Sequence, residues 1–186
     1  MEHFYTQIFG CFECDSLYTD VVKSAGNDAH FVEIGPFKGK SSSFMAVEII
    51  NSGKNIKFDC VDNWKGNPEH HANGPWPDQD VINGTVFEQF TKNMKPVEGN
   101  YTAISMDSVE AAKLYADQSL DFVFIDGNHS YESVKADIIA WTPKIKPGGI
   151  LAGNEFRALW PDLRRAVEEL IWDLEFEYVA WKTTIK

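Results

Sequence analysis

The stretch Phe31-Val32-Glu33-Ile34-Gly35-Pro36-Phe37-Lys38-Gly39-Lys40-Ser41-Ser42, FVEIGPFKGKSS, decides how the rest of the chain is read. Apolar residues run into two closely spaced glycines and then into small hydroxyl residues, the pattern of a strand, a tight turn and a helix. The strand itself is predicted over His30 to Ile34. Similar runs recur at Ile56 to Val61, Tyr101 to Ile104, Leu120 to Ile125 and Gly149 to Ala152. Each is β-branched or aromatic in character and closes on a polar or glycine turn, as strands buried on both faces do. Helices are predicted between them at about Ser41 to Asn51, Val81 to Met94, Val109 to Tyr115 and Tyr131 to Trp141. Such alternation requires right-handed crossovers, so the fold class is α/β with a doubly wound parallel sheet. A further helix is predicted over Trp160 to Trp172, starting near Pro161, and one or two closing strands over Glu175 to Ile185.

Upstream, Phe4 to Ala25 has loosely helical spacing broken at Gly10, so residues 1–28 read as a helical preface. One segment departs from the rhythm. Residues 63–80, NWKGNPEHHANGPWPDQD, are too long for a routine connection and rich in Pro, Gly, Asn and His, the character of a lid or a substrate wall. Its Trp64, His70, His71 and Trp76 are candidates for stacking on an acceptor ring or for packing the loop down.

At 186 residues the expectation is one domain spanning the whole chain. The hydrophobic fraction of 44% is globular, and no apolar run approaches the roughly 18 residues of a membrane span. The N-terminus MEHFYTQIFG lacks the basic start and apolar core of a secretory leader, so a cytoplasmic location is expected. A formal charge of -11 disfavours nucleic acid and favours a small-molecule partner. Cys11, Cys14 and Cys60 form no disulfide framework, and Cys11 with Cys14 read as two small residues on one face of an early helix.

The glycine turn excludes two ligands. A triphosphate loop needs four residues between its first Gly and the Gly-Lys-Ser, and Gly35, Gly39, Lys40 and Ser41 fall one short, with Glu33 beside any bound phosphate. A dinucleotide turn fails because Pro36 and Phe37 stand where pyrophosphate needs bare backbone. A cationic ligand without phosphates suits Glu33 better. The second strand ends at Asp62, placed for ribose hydroxyls, and the third leads to Asp107 and Ser108, placed for an adenine edge. Each acid also has a structural alternative as a helix N-cap. Taken in order, the strand-tip acids describe S-adenosylmethionine.

From about His30 to Gly153 the chain resembles the class I S-adenosylmethionine-dependent methyltransferases, and within them the methyltransferase domain 24 branch. The run SLDFVFIDGNHSYESVKADIIAWTPKIKPGGILAG, Ser119 to Gly153, carries the resemblance most specifically. It implies sheet order 3-2-1-4-5-7-6 with the last strand antiparallel. The expected cofactor set is Glu33, Gly35, Pro36, Phe37, Gly39, Ser41, Asp62, Asn63, Trp64, Asp107, Ser108 and Asp126.

Asp126 closes the fourth strand and Asn154 with Glu155 close the fifth. Three oxygen donors on neighbouring strands suit Mg²⁺, which several members of the resembling family use to hold a substrate hydroxyl. His129, three residues after Asp126, is the expected general base, with helix capping as its structural alternative. The family run commonly reads Gly-His-Asp-Tyr where this chain has Gly153-Asn154-Glu155-Phe156. A carboxylate one methylene longer moves a metal by on the order of an ångström. The expected function is methyl transfer to oxygen of a small hydroxylated, sugar-like acceptor, the alternative a catalytically weak cofactor-binding module. Whether the first ~25 residues cover the cofactor or form a homodimer contact stays open at this level.

Overall fold

The computed structural model describes residues Met1 to Lys186. Seven strands form one sheet in the order β3-β2-β1-β4-β5-β7-β6. They are β1 (His30–Ile34), β2 (Lys57–Asp62), β3 (Thr102–Ser105), β4 (Leu120–Ile125), β5 (Ile145–Gly153), β6 (Glu175–Glu177) and β7 (Ala180–Thr184). β1 pairs in parallel with β2 and β4, β2 with β3, and β4 with β5, while β7 runs antiparallel to both β5 and β6. Both expected closing strands are present. The predicted sheet order is the observed one.

The period of two along β1 divides the core. Phe31 joins one apolar cluster and Val32 with Ile34 the other. The first cluster is covered by α1 (Asp15–Ser24), α2 (Lys40–Ser52) and α4 (Val86–Met94), and the second by α5 (Ser108–Ala112), α6 (Tyr131–Trp141) and α7 (Pro161–Leu170). Because the chain winds outward from β1 to β3 and then returns to β4 on the other side, the strand order reverses between β1 and β4. A crevice opens at their carboxyl ends, where sheets of this kind take ligands.

Several predicted elements are corrected. The helix expected over Val81 to Met94 is two helices, α3 (Gln79–Asn83) and α4, parted by Gly84 in the left-handed conformation at φ 70°. That residue satisfies the end of α3 and stops it. The preface contains a 3₁₀ turn (Tyr5–Gln7) and α1, separated around Gly10 at φ 133°. Cys11 and Cys14 do not share a helix face: both precede α1, with Cys11 exposed and Cys14 buried. The Lys146-Pro147-Gly148-Gly149 turn lies inside β5, as an irregularity in its pairing with β4. The 63–80 segment is ordered by a 3₁₀ turn (Pro68–His70) and ends in α3. No helix is long and apolar enough to cross a membrane.

Candidate active site

Gly35 sets the floor of the crevice. Its φ is 83°, and a Cβ there would overlap the carbonyl group of Asp126 and lie 2.8 Å from Gly127 Cα. The first and fourth strands therefore meet backbone to backbone, which only glycine permits. Phe37 follows in the left-handed region at φ 49°, held by its N–H donating to Asp62 Oδ2 at 3.2 Å. Asp62 Oδ1 accepts from Trp64 N at 2.8 Å. Burial raises the Asp62 carboxyl pKa against those hydrogen bonds.

A cavity of about 1010 Å³ occupies the crevice. Of the residues expected from sequence, Gly35, Pro36, Phe37, Ser41, Asp62, Asn63, Asp107, Ser108, Asp126, His129, Asn154 and Glu155 line it. Three do not. Glu33 is 1% exposed, with Oε1 accepting from Tyr18 Oη at 2.8 Å and Oε2 from Ser42 Oγ. The carboxylate points into a sealed polar knot because β1 alternates faces. Gly39 is the left-handed entry to α2, packed on Met94 and Phe90. Trp64 is buried between Phe87 and Phe90, and its indole N–H donates to Phe37 O at 3.0 Å, bracing the turn from behind.

Asp107 is the N-cap of α5, its Oδ1 accepting from Val109 N and Glu110 N, while the residue still lines the cavity. Behind it Trp141 Nε1 donates to Ser108 Oγ at 2.9 Å, with Asp137 on the neighbouring helix α6. Asp137 is buried yet lines the cavity. Burial pushes its carboxyl pKa up to about 6. The sequence reading missed Asp137, although a carboxylate at helical spacing with Val134, Ile138 and Trp141 marks an acid inside an apolar stripe.

At the other end, His129 packs against Trp160 with ring centroids 4.4 Å apart and planes tilted by 55°, and its Nε2 lies 3.6 Å from Asp126 Oδ1. Both ring nitrogens are buried without a hydrogen-bond partner. The helix cap that might have occupied His129 belongs to Ser130, which accepts from Ser133 N. Burial opposes charge on His129, but Asp126, with Glu155 and Glu69 beyond it, outweighs that and holds the imidazole pKa above its ordinary value.

The oxygen-donor corner does not assemble. Asn154 turns its amide N–H to Asp126 Oδ2 at 3.3 Å, and its oxygen accepts from Cys14 Sγ at 3.4 Å. Glu155 sits at φ 59°, its Oε2 bonded by Trp160 Nε1 at 3.1 Å and paired with Arg157 Nε at 3.3 Å. With the amide facing Asp126 and the second carboxylate held by a guanidinium, these residues do not fit a divalent cation as they stand. Nor does any group of three or more His, Cys, Asp and Glu side chains.

A seven-stranded sheet in this order, with a glycine floor and an acid-lined crevice at the switch point, is the architecture of a class I methyltransferase. The model described as "Methyltransferase domain" (Methyltransf_24) matches residues 32–156, and the chain belongs to that family. Among solved structures it is similar to the O-methyltransferase NovP (TM-score 0.66, 15% identity, 91% of this chain and 78% of that one). It is also similar to CalS11, a calicheamicin methyltransferase (TM-score 0.63, 16% identity, 91% and 76%). Rv0187 from MTB, solved with cofactor bound, gives a TM-score of 0.66 at 13% identity, over 96% and 84%. A curated relative, "Uncharacterized protein y4gI" of Sinorhizobium fredii (strain NBRC 101917 / NGR234), is 27% identical over 124 residues, 64% of this chain. The match spans only 12% of that protein's length.

Proposed function

We propose that the chain transfers the methyl group to a hydroxyl oxygen of a small acceptor, with His129 as the general base. The carrying observation is the buried imidazole of His129, both nitrogens unpartnered, lining the cavity beside Asp126. A base must be within hydrogen-bond reach of the proton it takes, and a ring with no competing partner is free to make that bond. Asp126, 3.6 Å away, stabilises the charged form of the imidazole.

The cavity fits S-adenosylmethionine: carboxylates line a region with room for a sulfonium and an ammonium group. When bound, that cofactor supplies an electrophilic methyl group. Asp62 is placed to accept from ribose hydroxyls, and Asp107 with Ser108 to meet the adenine edge. Glu33 acts from below, holding the first strand and the α2 entry through Tyr18 and Ser42. The assignment needs no metal, because the base alone can take the proton. NovP is an O-methyltransferase, which supports oxygen as the accepting atom. The three unpaired thiols suit a reducing cytoplasmic setting.

Calorimetric titration with S-adenosylhomocysteine, followed by turnover on a panel of hydroxylated acceptors, tests the reading. Micromolar binding, and turnover that His129→Asn abolishes while binding persists, is the expected result. No binding overturns the cofactor assignment. Binding without any turnover would favour the module reading, which the occupied Asn154 and Glu155 side chains also suit.

A further inference from the structure

The acceptor end of the cavity has a distinctive chemistry. Trp76 from the 63–80 segment meets Trp160 edge to face at 5.6 Å, and Trp160 in turn packs on His129. Both tryptophans line the cavity. Indole faces around a base suit a flat ring, which they hold at low entropic cost.

Charge narrows the choice further. The lining carries eight carboxylates against one lysine, Lys40. The Lys40 ammonium is committed to Gly10 O at 2.7 Å. Arg157 and Lys38 pair with Glu155 and Asp78 from outside the lining, so they offset those acids without meeting a ligand. Glu69 and Asp126 have no lysine or arginine partner. A phosphate or carboxylate entering here meets like charge in a partly desolvated site and no fixed cation.

Acidity of the hydroxyl adds a third limit. Asp126 Oδ2, the Asn154 oxygen and Glu155 Oε2 are engaged internally and form no set that would polarise a hydroxyl, so the acceptor hydroxyl must be acidic enough to lose its proton to an imidazole. A phenol, ionising near 10 like tyrosine, is far closer to that base than an alkyl alcohol.

Building on the methyltransferase reading above, we propose that the acceptor is a phenolic ring compound bearing no phosphate or carboxylate, seated against the packed cluster of Trp76, Trp160 and His129 where it faces the cavity. The test uses the full chain saturated with S-adenosylhomocysteine and three probes that share one dihydroxylated ring: catechol, dopamine and 3,4-dihydroxybenzoate. Catechol and dopamine should bind at least ~10-fold more tightly than the benzoate. Glu69→Lys, which places a cation at the site and disturbs no hydrogen bond of the Glu69 side chain, should narrow that gap by ~10-fold. Its unchanged melting temperature and S-adenosylhomocysteine affinity would show an intact fold. Benzoate binding as tight as catechol in the unmodified chain overturns the charge argument. Binding of none of the three, with S-adenosylhomocysteine still bound, overturns the phenol assignment and leaves the cofactor reading standing. Failure to bind S-adenosylhomocysteine itself removes both.

Discussion

Tyr18 donates its hydroxyl to Glu33 Oε1 at 2.8 Å, joining the N-terminal helix α1 to the first strand inside the core. The acid of the glycine-turn motif is thus a structural clamp. Burial raises its pKa although Ser41, Ser42 and Tyr18 all favour the ionised form. Tyr18→Phe leaves a buried carboxylate oxygen short of a donor and should cost about 1–3 kcal/mol in urea unfolding. S-adenosylhomocysteine affinity should change less than ~3-fold. A large affinity loss at unchanged stability would place Glu33 in the ligand site instead.

Asp137 should make stability depend on pH. Its carboxyl ionises near 3.8 when exposed and at about 6 when folded. The folded chain therefore holds the proton over a range where the unfolded chain has lost it. The stability present below pH 4 is lost as pH rises through 6, by on the order of 3 kcal/mol. Asp137→Asn should flatten that slope and raise the pH 7 melting temperature, measured by calorimetry from pH 4 to 8.

On the proposed assignment of His129 as the base, this residue should set the acid limb of the rate. Because Asp126 and its neighbours favour the imidazolium, kcat/KM should rise with pH and inflect above the ordinary imidazole value near 6.5. His129→Ala should lower turnover by roughly 10²–10⁴-fold without weakening S-adenosylhomocysteine binding. A profile whose inflection survives the substitution would assign the proton transfer elsewhere.

Gly35→Ala should be the most damaging small change in the crevice. The new methyl group meets the Asp126 carbonyl in a backbone conformation that disfavours alanine. We expect a loss of at least about 2 kcal/mol in stability together with loss of cofactor binding, read by unfolding and calorimetry.

The alternation of apolar runs with amphipathic segments was sufficient for the sheet, because strands buried on both faces leave a signal that each residue reinforces. Gly35, Asp62 and Asp126 were legible as strand-tip residues for the same reason. What the chain order cannot display is the direction of a side chain after a turn. Glu33 and Asp62 both place an acid at or next to a strand end, yet one is sealed in the core and the other opens on the cavity. Trp64 looked like a ligand wall and is a brace, since a positive φ of 52° turns it inward. Asn154 and Glu155 look like metal ligands until Cys14 and Arg157, distant or unremarkable in sequence, take their polar atoms. Asp137 was readable in principle as an acid on an apolar helix face.

The Lys38 ammonium is buried and bridges Asp78 Oδ2 at 2.7 Å and Asp80 Oδ2 at 2.6 Å, beside the rings of Phe9 and Phe37. That single anchor pins the C-terminal end of the 63–80 segment, while Asp62 and Trp64 pin its start. Between these anchors, Asn67, Glu69, His70, Trp76 and Pro77 line the cavity. Exchanging that stretch while the Lys38 clasp and the strand tips are kept should alter the far wall of the cavity and leave the sheet in place.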